Sequence, residues 1–230
     1  MVTETRATGD ISNTDKLLTE FIFYLKKQGN KSNTIERRIR YLKSLVKSGY
    51  DLTDSESFKK GISEKNWVGK SKNNTADTYT LFLKMLGKTW EKPHYQEIRK
   101  LPFVPTESEI DQLITACGPK TSTFLQIMKE TAMRPGEAAR LTWNDIDFVS
   151  KTIKVTPEKG SNPRIFPISN KLLGMIENIR KLNYIKDPDR IFQRQLRHIR
   201  RNYQRSKVRI AEKVQNPRLG KIMLKTFRTW

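Results

Sequence analysis

One cysteine, Cys117, and two histidines, His94 and His198, are all that 230 residues offer to a soft metal or a disulfide. A single thiol excludes an intrachain disulfide and any CxxC metal site, and histidines so far apart give no metal-ligand spacing. Long apolar runs are missing too: no stretch reaches the ~20 residues that a membrane-spanning helix needs, and the start carries no signal-peptide pattern. Acidic residues are scarce beside basic ones. Against 24 Asp+Glu stand 45 Lys+Arg, a net charge of +21. That excess calls for a polyanion, nucleic acid first and an anionic membrane surface second. A reducing interior, cytoplasmic or nucleoid-associated, is the expected setting.

The charge is uneven. Residues 1–98 carry 18 basic and 12 acidic residues, net +6, whereas 99–230 carry 27 and 12, net +15. The first part reads as helices. TDKLLTEFIFYLKKQG (14–29) places Leu17, Leu18, Phe21, Ile22 and Leu25 at helical spacing and closes on Gly29. KSNTIERRIRYLKSLVKSG (31–49) opens on the capping candidates Ser32 and Asn33, and after a loop SKNNTADTYTLFLKMLGKTW (71–90) has the same form. Helix starts rich in lysine and small polar groups suit backbone phosphate, because free N–H groups and cations point the same way; ordinary surface capping fits them as well. This makes Lys31, Ser32, Thr34, Arg37, Arg38, Lys72 and Asn73 candidate DNA contacts.

Pro93, Pro102 and Pro105 break any helix across the joint, and TESEIDQLI then restarts one with Thr106 and Glu109 in a capping box. Helical patterns run through 107–117, 121–142, 170–182 and 190–213. KTIKVTPEKGSNPRIFPIS (151–169) instead alternates like a β-hairpin with EKGSN at its tip. Residues 190–209 hold eight Lys/Arg and no acid, a candidate DNA face that includes Arg197, Arg200 and Arg201. Arg134 precedes Pro135 and Gly136, with Glu137 three residues on: an anion fork or a structural ion pair. Lys159 sits on the hairpin tip, solvated or aimed at a ligand, and Lys225 and Arg228 share a helical face near the last residue.

In this order the three elements resemble the tyrosine recombinase (phage integrase) family. TAMRPGEAARLTWNDID is similar to its first arginine motif, EKGSNPRIFPIS to the hairpin bearing its catalytic lysine, and KTFR to its His-x-x-Arg motif, with lysine for histidine as in an archaeal-like variant. KSNTIERRI resembles a helix start of the family's core-binding domain. The resemblance implies a mostly α fold with a small β-hairpin or sheet (α+β): a helical core-binding, DNA-binding domain over 14–96, a linker over 97–106 and a catalytic domain over 107–230. It implies a site-specific recombinase or integrase acting on double-stranded DNA through a 3′-phosphotyrosine intermediate, with further protomers as partners on DNA. Arg134 and Arg228 would hold the non-bridging oxygens of a five-coordinate phosphorus. Lys159 would protonate the departing 5′ oxygen, Lys225 would assist at the phosphate, Glu137 would orient the pocket, and Arg164 on the return strand would touch DNA. No metal and no cofactor are implied, because the covalent protein–DNA link conserves the bond energy. The family's nucleophilic tyrosine lies beyond the His-x-x-Arg motif, whereas all seven tyrosines here precede Lys225. The expectation is therefore a truncated catalytic domain, competent to bind DNA and inactive in strand cleavage. The alternative is a non-enzymatic integrase remnant that occupies or regulates recombination sites.

Overall fold

The computed structural model describes residues 6–98, 101–158, 160–182, 189–193 and 195–228, with side chains from Asn13 onward. Its contacts divide the chain into two compact units, 1–100 and 101–230.

Unit 1 is helical: α1 (Arg6–Lys27), α2 (Ser32–Val46), α3 (Ser55–Glu64) and α4 (Gly69–Met85). The 3.6-residue period buries Leu18, Phe21 and Leu25 of α1 against Leu42 and Leu45 of α2 and Phe82 and Leu83 of α4. Each such side chain contributes about 2 kcal/mol through lost contact with water. Phe58 stacks on Tyr79 at 4.0 Å, and Trp90 meets Tyr79 edge-on at 4.8 Å. Gly29, at φ +71°, lets the chain turn back after α1.

Three expectations are corrected in this unit. The stretch between α2 and α4 contains α3, capped by the Asp54 carboxylate accepting from the Glu56 N–H at 3.0 Å. Its inner face is only Phe58, Gly61 and Ile62, too narrow to register as a period. Ser32 and Asn33 do not cap α2; Lys31 holds the N-cap place without a side-chain bond, and Ser32 already lies in the first turn. Nor does a polar side chain cap α4, which starts at Gly69 behind Val68. The Gln96 carbonyl oxygen comes within 2.0 Å of where a Cβ on Gly69 would stand, so only glycine admits that crossing.

Unit 2 centres on α6 (Pro119–Thr131), whose Phe124, Leu125, Ile127 and Met128 are all buried. Around it lie α5 (Glu107–Thr115), α7 (Pro135–Ala139), α8 (Asn170–Leu182) and α9 (Leu196–Lys213). The Thr106/Glu109 capping box forms as the sequence requires, with N–H···O distances of 3.3 and 2.8 Å. Residues 121–142 are not one helix. α6 ends on Ala132 at φ +49°, and Pro135 drives Arg134 into the extended region, ψ 147°, because a proline clashes with a helical predecessor.

The hairpin is β2 (Thr152–Val155) against β3 (Arg164–Pro167), antiparallel with Ile153 opposite Phe166. A two-residue strand, β1 (Ile146–Asp147), completes a sheet of order β1-β2-β3. α9 begins at Leu196, not at 190. Residues 189–191 are drawn instead to the chain after α7, where the Trp143 N–H donates to the Asp189 carbonyl and the Ile191 N–H to the Leu141 carbonyl.

Candidate functional site

Glu137 is the hub. It sits at the third position of α7 with its side chain 1% exposed, beneath the guanidinium of Arg134. One oxygen accepts from Arg134 Nη1 at 2.8 Å and from the Glu158 backbone N–H at 3.3 Å. The other accepts from the Arg134 N–H at 2.8 Å and from Arg164 Nη2 at 2.9 Å. Burial pushes the Glu137 carboxyl up, yet these N–H groups and the Arg164 charge outweigh it and hold the group at about 2. An ionised carboxylate thus sets two arginine forks side by side.

The same network reaches the hairpin tip from both ends. Arg134 Nη1 also donates to Ser161 Oγ at 3.2 Å, and the Glu158 carboxylate pairs with Arg140 at 2.5 Å. That carboxylate lies where a Cβ on Gly136 would stand, 2.0 Å from it, so the Pro-Gly start of α7 serves the hairpin's seat. Lys159, the expected general acid, lies outside the described residues; its neighbours Glu158 and Ser161 are both fastened to the arginine motif. Sequence reasoning missed Ser161, Arg140 and Glu158; the only signal for Arg140 and Glu158 was unlike charge on two segments that a hairpin brings together, and Ser161 gave none.

A third segment closes the site. Leu224–Arg228 forms a 3-10 turn with Leu224, Thr226 and Phe227 buried. Phe227 packs edge-on against Tyr203 at 6.0 Å, and the Tyr203 hydroxyl donates to the Ile222 carbonyl at 2.9 Å. Arg228 is exposed, and its Nε donates to the Ala132 carbonyl at 2.9 Å, two residues before Arg134. Its two Nη groups have no partner among the described residues, and neither has the exposed Lys225.

The expected DNA contacts divide. Arg197, Arg200 and Arg201 are exposed on α9, whose other face buries Ile199 and Tyr203. Arg37 is exposed on α2. The N–H groups of Thr34 and Ile35 both go to the Lys31 carbonyl, leaving those of Ser32 and Asn33 without an acceptor among the described residues. Arg38 is engaged with Asn30 at 2.8 Å. Lys72 and Asn73, expected to face phosphate, have internal partners. Lys72 donates to the Ser63 carbonyl at 2.7 Å, and the Asn73 amide both accepts from and donates to the backbone of Tyr95, at 2.8 Å each way. Arg164, expected at DNA, spends one nitrogen on Glu137, and its buried Nε is unpaired among the described residues.

Known proteins share both the sequence pattern and the fold. Residues 104–221 match the phage integrase family, a segment that contains Arg134, Glu137, the hairpin and α9 and stops before Lys225. Tyrosine recombinase XerA of Pyrococcus horikoshii is 28% identical over 185 residues, 78% of this chain and 65% of the relative. The chain thus spans just under two thirds of that recombinase's length. Among solved structures, the Tn1549 transposon integrase in complex with transposon right end DNA aligns with a TM-score of 0.66 at 16% identity, covering 92% of this chain and 84% of that one. A lambda integrase tetramer bound to a Holliday junction aligns at 0.64 and 14% identity, covering 99% and 76%. At these identities the two structures speak for the fold alone.

Proposed function

The protein belongs to the phage integrase family of tyrosine recombinases, since the family match takes in just over half of the chain, and from that premise we propose that it binds duplex DNA and grips one backbone phosphate between Arg134 and Arg228. One convergence supports this reading: the Arg228 side chain is bonded to the turn that leads into Arg134, and Arg134 is bonded to the hairpin tip. Both guanidiniums keep nitrogens facing outward, and guanidinium stays charged at any working pH. Negative charge that builds up on the non-bridging oxygens during phosphoryl transfer would meet forks already held in place, with no reorganisation at the moment of reaction. Lys159, carried between Glu158 and Ser161, is the proposed donor to the departing 5′ oxygen. Lys225 is proposed to add charge at the same phosphate, and the exposed arginines of α9 and the free N–H groups at the start of α2 to hold the flanking backbone. Residues 14–96, a linker over 97–106 and residues 107–230 are the proposed functional divisions.

Strand cleavage also needs a nucleophile. The Tyr203 hydroxyl is buried on a backbone carbonyl, and Tyr79 is likewise buried on the Leu52 carbonyl. Neither could reach a phosphate without unfolding its surroundings. We propose that neither of these two tyrosines is the nucleophile and that these 230 residues bind DNA without joining it covalently. A nicked duplex that traps covalent intermediates tests this. Noncovalent binding that weakens steeply with salt, through counterion release, is the expected result, and a covalent adduct formed by the 230-residue chain would overturn it.

A further inference from the structure

Arg218 lies ten residues before Arg228 and 109 after Glu109, the acid of the α5 capping box. Its Nε donates to Glu109 Oε1 at 2.7 Å and its Nη2 approaches Oε2 at 3.4 Å. Its guanidinium lies 5.0 Å over the ring of Phe103, on the chain entering unit 2. Its own N–H is fixed by Asn216 Oδ1 at 3.0 Å. Glu109 is buried, and its second oxygen is already taken by the Thr106 N–H at 2.8 Å. One carboxylate therefore fastens three pieces together: the start of α5, the incoming chain and Arg218.

We infer that Arg218 is a positioning residue, whose clasp on Glu109 and Phe103 keeps in register the segment carrying Lys225 and Arg228 and so couples the chain's entry into unit 2 to its anion pair. The inference rests on the reading of Arg228 as a phosphate ligand. The chain beyond Arg218 has little secondary structure to hold it: two short 3-10 turns, Leu219–Lys221 and Leu224–Arg228. Its place is set by discrete anchors. Leu219 and Ile222 are fully buried, the Ile222 carbonyl accepts from Tyr203, Phe227 packs on the Tyr203 ring, and Arg228 reaches the Ala132 carbonyl. The clasp is the first anchor in that series. Arg218 is half exposed, where an ion pair by itself adds little stability; its worth is in where it sets the chain.

Two substitutions isolate the clasp in the 230-residue chain. Glu109→Gln retains a residue that serves at the third position of a capping box and removes the charge that Arg218 meets. Phe103→Leu retains apolar cover and removes the ring face. The measurements are the affinity for a short duplex at fixed salt and amide hydrogen exchange over 219–228, for each variant alone and combined with Arg228→Ala. Each is expected to weaken duplex binding about fivefold, the low end of site-to-site coupling, to speed exchange over 219–228, and to add nothing further once Arg228 is alanine. Unchanged binding in Arg228→Ala would remove the phosphate reading on which the inference stands. If Arg228→Ala weakens binding while Glu109→Gln and Phe103→Leu do not, or if they weaken it as much without Arg228, then Arg218 has no positioning role.

Discussion

Among the described residues of unit 1 no charged side chain is buried, and its interior is a run of stacked and edge-on rings from Phe21 through Phe82, Tyr79 and Phe58. Unit 2 buries Glu109, Glu137 and Lys207 and surrounds the two carboxylates with arginines, Arg134 from the same turn and Arg164 and Arg218 from distant segments. The two units thus use an excess of basic residues differently. Contacts that only need to neutralise a phosphate can sit on the outside of an apolar scaffold, the place that the exposed Arg37 has on α2. Contacts that must meet charge at a fixed point need something to hold them, and a buried carboxylate does this at the cost of desolvation. The contrast supports the proposed phosphate site in unit 2.

Truncating the ring cluster should have the largest effect. Phe58→Ala is expected to cost unit 1 about 4 kcal/mol, from lost burial and the cavity left behind, read by urea unfolding. Glu137→Gln should cost unit 2 about 3 kcal/mol, because two guanidiniums lose their shared acceptor. A comparable loss on removing a carboxylate from unit 1 would erase the contrast. Acid sharpens it further. Glu109 and Glu137 are both held at about 2, well below an ordinary glutamate: at Glu109 the Arg218 hydrogen bond acts first, and at Glu137 the surrounding N–H groups overcome burial. A lowered folded value means that the stabilisation is fully present above the unfolded value near 4.5 and is lost as pH falls toward 2. The urea midpoint of unit 2 should fall through that window, and less so in Glu109→Gln.

Much of this was legible in the residues, and the failures share a cause. The Thr106/Glu109 box, the hairpin and the arginine turn follow from local rules, in which a side chain meets backbone three residues away or a strand alternates. α3 escaped because three apolar positions make no period. The break after Thr131 was missed because Pro135 acts backwards, on the residue before it. The partners of Glu137 and Glu109 lie 27 and 109 residues away, Arg164 and Arg218, and no local rule reaches that far. Lys72 and Asn73 carry contacts that a basic and polar helix start does not announce: their side chains bond to the backbone of Ser63 and Tyr95.

Smaller effects are expected at the outer contacts. Arg197→Ala and Arg201→Ala should each weaken duplex binding across sequences and reduce the salt slope by about 1, as loss of one phosphate contact does. Lys72→Ala should change the slope least, because its amine is turned to the Ser63 carbonyl; a full unit lost there would return it to the DNA surface.

The central claim is that Arg134 and Arg228 grip one phosphate. Duplex affinity measured at one salt concentration for Arg134→Lys, Arg228→Ala and the double variant decides it. Arg134→Lys keeps a charge above Glu137 while removing the planar fork. If both arginines hold the same group, the second substitution costs clearly less after the first than alone, beyond the ~0.5 kcal/mol within which independent sites add. Strictly additive losses would place the two arginines on separate phosphates and contradict a shared site.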